Sequence, residues 1–107
     1  KKLSTMEMAK YILQILRTKP MVVLSWGFHN PRRLSDDRGL SFMVNGFKYQ
    51  GCVEITYNIG IDLFDVVLTK NRTKIENVYI DNLIEVIDNL VEKTSDYRHR
   101  VHQEYAL

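Results

Sequence analysis

The stretch Leu40-Ser41-Phe42-Met43-Val44-Asn45-Gly46-Phe47-Lys48-Tyr49-Gln50-Gly51-Cys52-Val53-Glu54-Ile55-Thr56-Tyr57 decides the fold. Apolar and polar residues alternate on either side of Asn45-Gly46, and Asn-Gly between two such runs is the strongest short-range hairpin signal. A two-residue turn sets Val44 opposite Phe47, Phe42 opposite Tyr49 and Leu40 opposite Gly51, so the large apolar groups share one face. The other face receives Ser41, Lys48, Gln50, Glu54 and Thr56. Each buried ring removes ~150–250 Å² from water, so the ring-bearing side is expected to be the core and the Glu54 side to stay open.

Downstream, the parity of the strands sets the next connection. A four-residue loop Asn58–Ile61 places Tyr57 opposite Asp62, Ile55 opposite Phe64, Val53 opposite Val66 and Gly51 opposite Leu68. A three-residue loop would put Asp65 against Val53 on the apolar side, and a buried unpaired carboxylate is costly. A further turn near Asn71-Arg72 returns a short edge strand through Ile75 to Tyr79. The closing helix starts near Asp81 or Asn82, with Leu83, Ile84, Ile87, Leu90 and Val91 as its apolar stripe. Residues 94–107 form a C-terminal extension, either helical or mobile.

Upstream, Ser4 and Glu7 have the spacing of a capping box, and Leu3 and Met8 that of a hydrophobic staple. Met8, Tyr11, Ile12, Ile15 and Leu16 recur at intervals of three and four, which predicts a helix over 4–18 that ends at Lys19-Pro20. Met21 to Phe28 alternates Val22, Leu24, Trp26 and Phe28, and reads as the first strand. His29 to Gly39, polar and interrupted by Pro31, reads as a long loop. The expected architecture is α+β: one domain over 1–107, with an antiparallel sheet of four or five strands and an N-terminal and a C-terminal helix on one face.

Length and composition agree with that size. The chain has 107 residues, 45% hydrophobic and 26% charged, with a net charge of +2, a balance too small to imply a polyanionic partner. The first twenty residues carry five Lys/Arg against one Glu, whereas 81–93 carry four carboxylates against Lys93. A basic first helix beside an acidic last one accounts for most of that asymmetry. No apolar run reaches the ~18–20 residues of a membrane span, and the first helix reads as structural, not as a signal peptide. A lone Cys52 forms no internal disulfide, so the cytoplasm is the expected location.

Candidate chemistry is sparse. Rings on a sheet suggest base stacking, but these rings share their side with Val53, Ile55, Val66 and Leu68. Arg32, Arg33 and Arg38 in the long loop and Lys70, Arg72 and Lys74 in the last turn would form a phosphate clamp if both loops met at one sheet edge, although Asp36 and Asp37 offset the first group. His99 and His102, with Glu104, have a spacing that could share a metal, yet two His without a third fixed ligand are a weak set, and Arg98 and Arg100 repel a cation. Cys52 has no base beside it in sequence, as a nucleophile requires. Asp36/Asp37 and Asp62/Asp65 are not held as working pairs. No catalytic residue, metal or cofactor is expected.

The element order, with Phe42–Tyr57 around Val44-Asn45-Gly46 and the helix start within Tyr79–Leu90, resembles the small uncharacterised helix–four-strand–helix proteins of bacterial genomes. That resemblance implies only a fold, because such proteins commonly lack an assigned activity. The leading expectation is a non-enzymatic protein-interaction module, with a protein partner or self-association through Val23, Met43, Cys52, Glu54, Thr56 and Val67 on the outer face. The alternative is a nucleic-acid-associated protein using the six cations.

Overall fold

A computed structural model describes residues 8–92. The chain runs α1 (Met8–Leu16), α2 (Pro20–Ser25), β1 (His29–Arg33), a 3-10 turn (Ser35–Asp37), β2 (Gly39–Asn45), β3 (Gln50–Asn58), β4 (Leu63–Leu68), β5 (Thr73–Val78), a second 3-10 turn (Ile80–Asn82) and α3 (Leu83–Val91). The five strands form one antiparallel sheet in the order β1-β2-β3-β4-β5. The class is α+β, as the hydrophobic pattern requires. Ser4, Glu7 and the extension 94–107 lie outside the described residues.

The central strands bury one parity. Leu40, Phe42, Val44, Val53, Ile55, Phe64, Val66 and Leu68 are all buried, and they join Met8, Ile12 and Leu16 of α1 and Leu83, Ile84, Ile87 and Val91 of α3 in one apolar cluster. Both helices therefore cover the same side of the sheet. Ser41, Met43, Cys52, Glu54, Thr56, Asp65 and Val67 alternate onto the other side and are each partly exposed.

Both central connections differ from expectation by an even number of residues, which moves the register and keeps the face. In the first, Asn45 pairs with Gln50, Phe42 with Val53 and Leu40 with Ile55, so the loop spans 46–49 in place of a two-residue turn. Packing of α3 onto this loop overrides the local Asn-Gly preference. Lys48 N–H donates to the Val91 carbonyl at 2.9 Å, Phe47 N–H donates to Glu92 Oε1 at 2.9 Å, and a Cβ on Gly46 would run into the Val91 carbonyl oxygen. Phe47, expected in the core, is 62% exposed. In the second, Tyr57 pairs with Phe64, Ile55 with Val66 and Val53 with Leu68; the four-residue loop has the expected length and lies one residue further along.

The region before β2 departs more. Met21 to Phe28 is not a strand: Pro20 sits at the start of α2, where its fixed φ and missing N–H suit the first helical turn. Alternation of Val22, Leu24 and Trp26 was compatible with a strand, but Val23 and Trp26, three apart, are the buried pair, while Met21 and Leu24 are 78% and 68% exposed. Trp26 closes α2 inside the core: its indole N–H donates to Asp88 Oδ1 at 2.9 Å, its carbonyl accepts from Asn45 N–H at 2.7 Å, and its ring lies near-parallel to Phe42 at 6.4 Å.

The segment read as a loop supplies the missing strand. β1 pairs Arg32 with Ser41, Arg33 with Leu40 and His29 with Met43, with an irregularity between His29 and Arg32. All five of its residues are exposed. It is held by ladder hydrogen bonds and not by burial, so no hydrophobic alternation announces it.

Candidate functional site

The site residues fall into two groups with different fates. Met43 pairs with Cys52, Glu54 with Val67 and Thr56 with Asp65, so Met43, Cys52, Glu54, Thr56 and Val67 form a contiguous patch on the helix-free face. Val23 does not belong to it. Its place in α2 turns its side chain into the core, where it is buried.

The patch carries little net chemistry. Burial pushes the Cys52 thiol above its ordinary range, the neighbouring Glu54 carboxylate pushes it further, and a contact with Thr69 partly offsets both. A nucleophilic cysteine needs the opposite bias, toward thiolate. His29 is reached only across β2, because His29 pairs with Met43 and Met43 with Cys52. Its Nδ1 donates to the Gly27 carbonyl at 2.7 Å, a tautomer set by the carbonyl being an acceptor. Beside the patch, Lys74 Nζ lies 3.4 Å from Glu76 and 4.0 Å from Asp65, and Asp65 Oδ1 accepts from Asn77 N–H at 3.1 Å.

The other carboxylates serve local geometry. Asp62 Oδ1 accepts the Tyr57 hydroxyl at 2.6 Å, which raises the phenol above its ordinary range. Asp36 and Asp37 both sit at positive φ in the 3-10 turn, and Asp37 Oδ2 accepts from Met8 N–H at 3.4 Å. Among the described residues no three His, Cys, Asp or Glu converge as a metal site; His99, His102 and Glu104 lie outside them. No helix among the described residues is long and apolar enough to cross a membrane.

The six cations do not converge. Arg32 and Arg33 lie on β1 and Lys74 on β5, the two opposite edges of the sheet, separated by four inter-strand steps of ~4.8 Å, about 19 Å in all. Arg38 sits at one end of the strands, where its carbonyl accepts from Tyr57 N–H at 2.8 Å. Lys70 and Arg72 sit at the other end, where Lys70 N–H donates to the Tyr49 hydroxyl at 3.0 Å. The single-edge clamp is replaced by charges at diagonal corners.

What sequence reading missed is a concave feature at the β1 edge. Arg32 and Arg33 straddle the β1 edge and, with Lys10 of α1, line an open groove of about 410 Å³ floored by Ala9, Leu13, Pro31 and Leu40. Lys10 gave no signal by itself, because the groove exists only once β1 is recognised as a strand.

Comparisons with protein-family models, curated proteins and solved structures gave no match. No relative therefore lends a residue role, and the reading of the site rests on this chain alone.

Proposed function

We propose that the chain is a small protein-interaction module that offers the helix-free face of its sheet to another polypeptide. The observation carrying this is the juxtaposition of Met43, Cys52 and Val67 with Glu54 and Thr56 at the centre of that face. Three soft or apolar side chains, partly exposed and surrounded by polar groups, make a modest patch of the kind that a partner dehydrates. The raised thiol pKa supports a contact role for Cys52 over a reactive one.

The edges suit strand addition poorly. Pro31 and positive-φ Asn30 interrupt β1, and Asn77 at φ 60° interrupts β5; such irregularities blunt an edge against pairing. Glu54 lies on the central strand β3, so a two-fold dimer centred there would set Glu54 against its own copy, a like-charge contact. The reading therefore favours a different protein that brings a cation to Glu54. The test is capture from a cell lysate by the tagged chain, with light scattering across a concentration series. A partner retained by wild type and lost by Met43→Asp/Val67→Asp, without loss of folding, supports the module. A strictly monomeric chain that captures nothing, or captures equally as the double variant, contradicts it.

A further inference from the structure

From the groove between α1 and β1 we infer a second docking site, for an acidic amphipathic helix of a partner protein. This rests on the interaction-module reading but uses a different surface. Lys10 stands on one bank and Arg33, which pairs with buried Leu40, on the other; Arg32 pairs with Ser41 and borders the groove from the rim, and no carboxylate is among the described lining residues. None of the three has an ion pair among the described residues. Among the described residues the nearest acids by topology are Asp36 and Asp37 at the end of β1, and Asp37 is engaged with Met8 N–H.

The chemistry selects the occupant. The floor of Ala9, Leu13, Pro31 and Leu40 is aliphatic and offers no ring for a base to stack on, which disfavours single-stranded nucleic acid. Cations on both banks call for several spaced carboxylates, and a fatty acid has one. A volume of about 410 Å³ lies toward the lower end of ligand sites, ~300–1,000 Å³, and takes a few aliphatic side chains, not a whole chain segment. Pro31 and the irregularity in β1 rule against main-chain pairing along this edge. A helix that seats leucines at intervals of three and four and flanks them with glutamates meets all four conditions.

The experiment titrates the full chain against a fluorescein-labelled glutamate–leucine peptide with leucines at helical spacing, read by anisotropy at low and high salt. Saturable binding that weakens with salt is expected, and Arg32→Glu/Arg33→Glu should weaken it about tenfold or more. Those residues are exposed, so an unchanged melting temperature is expected and separates lost binding from lost fold. Met43→Asp/Val67→Asp should bind the peptide as wild type does, which keeps this site distinguishable from the sheet face. No saturable binding, equal binding of a lysine–leucine peptide, or an unaltered affinity in the arginine variant overturns the inference. Tighter binding of dodecanoate or of a single-stranded oligonucleotide through the same arginines overturns the choice of occupant. If the peptide fails while the sheet-face variant still loses its captured partner, the groove falls and the module stands.

Discussion

The same strands build the two faces of the sheet, and the faces have opposite physics. On one, Phe42, Val53, Ile55, Phe64 and Val66 are sealed beneath three helices; on the other, Met43, Cys52, Glu54 and Val67 stay partly open, with no helix among the described residues packed over them. Burial of the first face supplies folding free energy at ~25 cal/mol per Å². The second face contributes little of this and is correspondingly free to be used. Side chains two apart on one strand share a fate, whereas neighbours do not, so stability and recognition are separated by a single residue step.

That contrast is sharpest at Trp26 and Val67. Trp26→Ala opens a cavity in the core and strands Asp88, and should cost about 3–5 kcal/mol. Val67→Asp, on the open face, should cost less than about 1 kcal/mol. Urea unfolding of both variants measures the ratio, and comparable losses would break the distinction between the faces.

Smaller effects sharpen the same boundary where α3 meets the sheet. Gly46→Ala drives a Cβ against the Val91 carbonyl, and overpacking of this kind should cost about 1–3 kcal/mol, read as a lowered melting temperature. Asp88→Ala leaves the buried Trp26 indole N–H without its acceptor, an expected loss of about 1–2 kcal/mol. A neutral result at Asp88 would mean that another acceptor replaces it.

The smallest effect concerns two protons, one on each face of the sheet: the Cys52 thiol on the open side and the Tyr57 hydroxyl at the rim of the helix-covered side. Cys52 and Tyr57 both hold their protons more tightly in the folded chain than is ordinary. Stability from such groups is complete below their unfolded pKa values and is lost as pH rises through the higher folded ones, so the chain should weaken on the alkaline side. Alkylation of Cys52 followed against pH should give a higher midpoint in the native protein than in denaturant, and Glu54→Gln should lower the native midpoint. A native midpoint at or below the denatured one contradicts the assigned environment.

The strand parity was legible because Val53, Ile55, Val66 and Leu68 leave no other side to bury, and errors of two or four residues in pairing do not change a face. Register was not legible: it depends on Val91 and Glu92 gripping the 46–49 loop from more than forty residues away. α2 was ambiguous because a six-residue segment with the short apolar run Met21–Leu24 fits both periods, and the clue that decides it is Pro20. β1 was invisible because an exposed edge strand needs no apolar pattern. With β1 went the groove, since Lys10, Arg32 and Arg33 are brought together only by that pairing. Val23 followed α2 into the core for the same reason.

Side-chain NMR of the dilute protein with a soluble gadolinium chelate tests the central claim most directly. The Trp26 indole and the Phe42 and Phe64 rings should be spared, while the Met43 and Val67 methyls broaden strongly. Broadened rings alongside protected Met43 and Val67 methyls would contradict the assignment of a dry and an open face.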